Sequence, residues 1–535
     1  MSEFSFGDVF QRLTDNPPFP WQSRLYAQFI EGTVPSACSI PTGLGKTSVI
    51  PIWLIALVSC PERLPRRLVY VVNRRTVVDQ STQVTEEMRA RLLDPKGDAT
   101  LIDLASRLKR LTSFSENEKH PSLAISTLRG QFADNGEWWQ DPARPAVVVG
   151  TVDMIGSRLL FGGYRSGVRS HPRDAGFLGR DVLIVHHKAH LKPAFQFLLK
   201  AIDREQEKTE SPSRPIHILE LTATSRAQSE DAPFTLDEKD HEHDVVQQRT
   251  HAKKGIAFHE VETVAESIGV RAAEYAESGK AILIFVRTLK DVSTVHEKLK
   301  ETGAKTALLT GTIRGFEREN LAISDPVYQR FLNPSEEESQ ETMYLICTSA
   351  GEVGIDISAD HLVCDLTPFE SMAQRFGRVN RRGGKHWANL DIFYEQEHDS
   401  RKAELGYEIA RWKTLDLLQS LPPCDWDDQR RNASPQALND LPHDAKCEAF
   451  SPLPEILCTS DILFDAWTMT SIREDLPGRP PVADYLHGVE ENQIPETMVA
   501  WREEVSLLVD SELSDEHLAE LLSDYPLKPQ ELLRE

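Results

Sequence analysis

No apolar run in the chain approaches the ~18 residues that a membrane-spanning helix needs. The most apolar stretch, 50–58, is too short, so no membrane association is expected. Paired cysteines are also missing. The seven cysteines stand singly at 38, 60, 347, 364, 424, 447 and 458. Without a C-x-x-C pair, a disulfide framework or zinc ribbon is excluded, and a reducing compartment is implied. The N-terminus lacks a basic region followed by an apolar core, so no secretory signal is read and the expected location is cytoplasmic. Positive charge is scarce: 60 Lys and Arg stand against 83 Asp and Glu, a net charge of −23. That balance excludes a uniformly basic surface. Any nucleic-acid binding must rest on the local field of a groove, and non-specific binding should be weak and salt-sensitive.

What is present is enough for several ordinary cores. The apolar fraction is 40% over 535 residues, a length that suits about three to four domains. Short β-branched runs recur at 37–40, 67–72, 146–149, 182–185 and 216–221, with helical periodicity between them. A second series follows at 281–286, 307–309, 343–348, 361–365 and 388–393. Brief buried strands alternating with helices indicate parallel βαβ units. The expectation is α/β: two tandem parallel-sheet domains, residues 1–225 and 256–400. Residues 226–255, polar and charged, are expected as a linker or exposed insertion. Residues 401–535 are expected as a linker and a mainly helical accessory region. There, Trp467, Tyr485 and Trp501 suit core packing, and His443-Asp444 reads as an exposed turn.

Ile40-Pro-Thr-Gly-Leu-Gly-Lys-Thr47 follows the first run and opens a helix. This is the setting of a phosphate-binding loop. Glycines let backbone amides close around phosphate oxygens, and the helix N-terminus favours negative charge. Lys46 then reaches the β/γ-phosphates and the Thr47 hydroxyl faces magnesium. Thr42, Gly43, Gly45, Lys46 and Thr47 are the candidate ATP contacts. Ile40 stands where the strict pattern has glycine.

Further segments keep a definite order around this loop. Phe19-Pro-Trp-Gln22 precedes it by about twenty residues. Asn73-Arg74-Arg75 and Thr151-Val-Asp153-Met follow strand ends, as do Leu221-Thr222-Ala223-Thr224 and Thr348-Ser-Ala-Gly-Glu-Val-Gly-Ile-Asp356. Gln374-Arg-Phe-Gly-Arg378-Val-Asn-Arg381 closes the series. Spacing of three is expected to put Arg378 and Arg381 on one helical face. In this order the segments resemble superfamily-two helicases over residues 17–400. More narrowly, residues 67–79, 150–160, 311–318 and 476–481 resemble the helicase part of the signature helicase–nuclease of type I CRISPR systems, subtype I-G (formerly I-U).

The resemblance implies two RecA-like domains and an ATP-driven motor with magnesium as cofactor. It implies recruitment to a guide-RNA surveillance complex and 3′→5′ translocation on displaced single-stranded DNA. It makes Gln22 the adenine reader, Arg378 and Arg381 the γ-phosphate arginines of the second domain, and Gln374 their companion. Thr222, Ala223 and Thr224 become the link between ATP and nucleic acid. Asn73, Arg74, Arg75, Thr151, Asp153, Arg287 and Thr348 become nucleic-acid contacts, and Asp356 lies in a loop facing the nucleotide.

Two departures follow. The family's HD nuclease is not found, so the expectation is a truncated piece, a split subunit or a shortened gene product, with the nuclease separate or missing. Second, where the family carries an Asp-Glu-Ala-His box, this chain reads His187-Lys188-Ala189-His190. The family's aspartate supports magnesium and its glutamate activates the attacking water. Imidazole is a poor partner for Mg²⁺, which prefers hard oxygen ligands, and an ammonium group accepts no proton. Loss of a general base alone costs about 10²–10⁴ in rate, so ATP binding with impaired hydrolysis is expected. A zinc site from His186, His187 and His190 is the lesser reading, because the segment is a strand end with no nearby carboxylate or cysteine. Two other functions stay open: an ATP-gated DNA-binding or scaffold protein without motor activity, and a helicase of another DNA or RNA pathway.

Overall fold

The computed structural model describes residues 5–489 apart from 74, 115–119, 129–134, 164–166, 209–213, 223–231, 312, 314–316, 318–320, 322, 335–340, 353–355, 385, 396–405 and 473–478. It contains two sheets. The first is built from β1 (Ala37–Ser39), β2 (Arg67–Val72), β3 (Ala124–Leu128), β4 (Ala146–Thr151), β5 (Val182–His187), β6 (Ile216–Thr222) and β7 (Phe234–Thr235). Its order is β3-β4-β2-β5-β6-β1-β7, with every pairing parallel. Parallel sheets are covered on both faces, so their strands read as continuous apolar runs rather than alternating ones. In β2 all six residues are buried. The helix Val49–Ser59 is apolar all round because it lies inside, against the helices Phe6–Thr14 and Pro20–Glu31 as well as the sheet core.

The second sheet holds β8 (Lys254–Val261), β9 (Ala281–Phe285), β10 (Lys305–Leu309), β11 (Met343–Cys347), β12 (His361–Asp365) and β13 (Ala388–Glu395), plus β14 (Pro423–Cys424) and β15 (Asp427–Asn432). The order is β10-β11-β9-β12-β13-β8-β15-β14. The first six strands are parallel, and the hairpin β14–β15 adds antiparallel to β8. Two parallel sheets flanked by helices are the tandem RecA-like architecture.

Several local expectations are corrected. Within 226–255 the chain is not simply an exposed linker. Phe234 and Val246 are buried, β7 pairs with β1, and the helices Glu238–Glu242 and Asp244–Thr250 follow. Few apolar residues are present there, but they sit where burial needs them. Arg24 reinforces this by lying 4.7 Å over the Phe234 ring and pairing with Asp237 and Asp240.

The region after 400 is not wholly helical or separate. The helix Gly406–Gln419 packs Trp412, Leu415 and Leu418 into the second core, and the β14–β15 hairpin extends that sheet. The helices Asp461–Thr468 and Ala483–His487 return to the first domain. There Trp467, Tyr485 and Leu486 join a core with Val152, Ile155 and Phe195. Trp501 lies outside the described residues. His443 and Asp444 open the short helix His443–Glu448 rather than an exposed turn.

Candidate nucleotide and nucleic-acid site

The first sheet brings the loops of interest to one edge. β1, β6 and β5 are neighbours, so the loop after β1, Thr222 at the end of β6 and His187-Lys188 at the end of β5 converge at the carboxyl ends of the strands. Parallel α/β sheets bind ligands at that edge. Gly43 and Gly45 take φ of 90° and 75°, a left-handed conformation that a β-carbon would strain. A 3₁₀ turn, Lys46–Ser48, leads into the helix Val49–Ser59.

Lys46 is 8% exposed, and its Nζ is buried without a hydrogen-bond partner among the described residues. Burial, with Arg381 adding, pulls its pKa down to about 8. An unmatched buried ammonium aimed into a glycine-rich loop suits a phosphate. Gln22 Nε2 donates to Ser48 Oγ at 2.6 Å, while its Oε1 accepts from the Phe19 amide at 2.8 Å. Gln22 is therefore tied to this loop. Thr47 and Thr42 are half-buried beside it.

The second domain meets the loop directly. A β-carbon placed on Gly377 would lie 3.0 Å from Thr42 Oγ1, and one on Gly43 would lie 3.6 Å from Arg381 Cγ. The helix Phe369–Phe376 ends before Arg378. Arg378 and Arg381 therefore do not share a helical face. They lie on the turn that follows, shaped by Asn380 at φ 42°. Arg378 donates to the Glu352 carbonyl at 3.0 and 3.3 Å, and burial then Arg381 push its pKa down to about 9. Arg381 pairs with Asp356. An open cleft runs beside this contact, lined in part by Thr42, Lys254, Gln374, Gly377 and Lys446.

Lys188 sits at the centre. It is 5% exposed, takes the left-handed conformation (φ 57°), and donates through Nζ to Gln374 Oε1 of the second domain. Its amide donates to the Leu221 carbonyl at 2.6 Å, and Asn73 Nδ2 donates to its carbonyl at 3.1 Å. Burial above all, then Arg378, Lys46 and Arg381, hold its pKa well below the usual lysine value. His187 stacks on Tyr70, with ring centroids 5.8 Å apart. Burial, then Lys188 and Lys46, keep its imidazole neutral and a weak base. His190 Nδ1 and Thr222 Oγ1 lie 3.0 Å apart, linking the ends of β5 and β6. His186 turns away to Gln196 at 2.9 Å, so the three histidines do not converge on a zinc ion.

Apart from the Thr47 hydroxyl, the donor set here does not fit magnesium. Mg²⁺ takes oxygen ligands, usually carboxylates with water, and positions 187 and 188 supply imidazole and amine. The two described carboxylates nearby are engaged: Glu352 with Arg375 at 2.8 Å and Ser371 at 3.1 Å, and Asp356 with Arg381. Among the described residues no cluster of three or more His, Cys, Asp or Glu could hold a metal.

The remaining predicted residues scatter. Thr151 caps the helix Val152–Leu159, and Thr348 caps the turn Ser349–Gly351. Asp153 receives a hydrogen bond from His487 at 2.7 Å, which holds its carboxyl below the usual range. Arg287 does not present a free charge to a groove. It is matched by Asp365, Glu395 and Glu408 within its own domain. Arg74, Ala223 and Thr224 lie outside the described residues, and Arg75 begins the helix Arg75–Leu93.

Sequence reasoning passed over Arg249, whose Nη1 donates to the Gly43 carbonyl at 2.6 Å. No motif marks it, because it stands in a segment that reads as linker. It also passed over Arg375, which lies inside the quoted motif but is buried against Glu352 and Asp365 rather than facing the cleft.

Residues 278–384 match the family model described as CRISPR-associated nuclease/helicase Cas3, C-terminal. The fold resembles that of Cas3. T. fusca Cas3 with ADP superimposes at a TM-score of 0.55 with 15% identity, covering 82% of this chain and 53% of that one. T. fusca Cas3 with ATP gives 0.55 at 14% identity over 85% and 59%. Its AMPPNP form gives 0.54 at 13% over 86% and 55%. This chain therefore spans little more than half the length of those Cas3 chains. No curated protein compared with it matches.

Proposed function

We propose that this chain is the helicase part of a CRISPR-interference motor: it binds ATP, engages single-stranded DNA displaced by a guide-RNA surveillance complex, and hydrolyses ATP poorly. The observation that carries the reading is the contact of the Lys46 loop with the turn bearing Arg378 and Arg381. Phosphoryl-transfer motors stabilise the developing charge with just such a lysine and in-reaching arginine. In this reading the motor lobes are residues 1–225 and 256–400, joined through 226–255, and 401–535 is the accessory region. Gln22, Thr42, Gly43, Gly45, Lys46 and Thr47 hold the nucleotide. Thr222, with Ala223 and Thr224, couples it to DNA gripped near Asn73, Arg74, Arg75, Thr151 and Thr348. The nuclease acts from another chain or a missing segment.

A second reading is favoured by one contact. Lys188 bonds Gln374 across the two domains, as a clamp would that holds DNA or the surveillance complex without translocating. A helicase of another pathway is separated from both by the genes beside this one. The deciding experiment is DNA-stimulated ATP hydrolysis of the chain beside His187→Asp/Lys188→Glu, with ATP binding measured in both. Turnover at least about 10²-fold higher in the double variant is expected. Equal, normal turnover in both would refute the assignment of residues 187 and 188 to the catalytic box.

A further inference from the structure

We infer that this site binds a nucleoside triphosphate without a divalent cation, the Lys188 side chain supplying the positive charge that a metal ion would otherwise bring. The inference rests on the reading of the Lys46 loop as a triphosphate site. Its basis is the mismatch between donors and metal. Where magnesium would need oxygen ligands, the end of β5 carries His187 and Lys188, and the nearby carboxylates of Glu352 and Asp356 are bound to Arg375 and Arg381.

Charge decides the preference. Burial above all lowers both lysines, and Arg381 on Lys46, with Arg378, Lys46 and Arg381 on Lys188, adds to it, so the four lie within one electrostatic neighbourhood. All but Arg381 are nearly fully buried. A divalent ion entering this cluster meets like charge at low effective dielectric, which is repulsive. A free triphosphate meets positive charge, foremost the Lys46 ammonium, which has no hydrogen-bond partner among the described residues.

Without ligand, burial disfavours the charged form of Lys188, and its amine spans to Gln374. An incoming triphosphate favours the protonated form, because an opposite charge raises a lysine's pKa. Binding therefore takes up a proton, and affinity declines as pH rises. In solution, magnesium that complexes ATP removes the species this site takes. Excess magnesium thus acts as a competitor rather than a cofactor.

The test is calorimetric titration of the full chain with ATP in EDTA and in excess magnesium, beside Lys188→Gln and His187→Asp/Lys188→Glu. Retention of a cooperative thermal transition shows that each variant is folded. The unsubstituted chain is expected to bind about tenfold more tightly in EDTA, the size of one charge-assisted contact of roughly 1.4 kcal/mol. Lys188→Gln should lose that preference, and the double variant should bind more tightly with magnesium. Repeating the titration in buffers of different ionisation enthalpy should reveal proton uptake that Lys188→Gln lacks. Tighter binding of the unsubstituted chain in magnesium would overturn the inference and leave the nucleotide site standing. So would an unchanged preference in Lys188→Gln. A folded chain that binds ATP under neither condition would overturn both.

Discussion

At the scale of single residues, buried ionisable groups dictate behaviour that the sequence hides. His186 is fully buried against Gln196 and Phe195, and burial lowers its pKa to about 4. The unfolded chain would protonate it near 6.5. A histidine whose folded pKa is depressed opposes folding as pH falls, because only the unfolded state takes up the proton. Its contribution is therefore fully present above about 6.5 and erodes down to about 4. Urea unfolding at pH 7 and pH 5 should show a lower midpoint at pH 5, with a smaller drop in His186→Gln. An equal drop in the variant would mean that His186 does not carry the effect. The same logic separates Lys46 from Lys188. Both are lysines in a sequence, but one is an unmatched cation in a glycine-rich loop and the other a buried bridge between domains.

Elements were legible where one local rule dominates. The β-branched run 67–72 is β2, with all six residues buried. The run 361–365 is β12. The loop at 40–47 lies between a strand and a helix as its glycines require. Elements set by distant partners were not legible. Spacing of three suggested that Arg378 and Arg381 share a helix, yet the helix stops at Phe376 and Asn380 turns left-handed. The helix Ala483–His487 is five residues long and would not persist alone. Packing stabilises it: a β-carbon on Gly156 would fall 2.3 Å from Leu486 Cδ2, so the two segments are in close contact. Leu486 is fully buried. Leu486→Ala should cost about 3 kcal/mol of stability through the cavity it leaves. It should also raise hydrogen exchange at 455–489 more than at 254–261. Uniform exchange in both segments would show that the return segment contributes nothing separable.

Across the whole molecule, a net charge of −23 competes with a local cationic cleft. Arginines of the second domain are largely committed: Arg287 to three carboxylates, Arg375 to two, Arg381 to Asp356. Few cations remain to displace counterions from a phosphate backbone, and the overall field repels it. Binding of single-stranded DNA by the chain alone should therefore be weak and lose only about tenfold between about 50 and 200 mM, the slope of roughly two phosphate contacts. Fluorescence anisotropy against salt concentration measures this, and tight, salt-insensitive binding would show that the charge argument fails. None of the described helices is long and apolar enough to cross a membrane.

The sequence by itself determined the alternation of buried strands and helices, the phosphate-loop chemistry around Lys46 and the resemblance to superfamily-two helicases. These depend on local periodicity and on residues contiguous in the chain. It also displayed His187 and Lys188 as departures from the expected box. Only the tertiary structure decided what those departures do. Whether Lys188 is buried, which cations crowd it, that Gln374, 186 residues away, accepts its bond, and that Glu352 and Asp356 are already engaged all depend on segments that only folding brings together. Burial and charge proximity are properties of the packed molecule, and they decide whether a substituted box is an empty metal site or a cationic one.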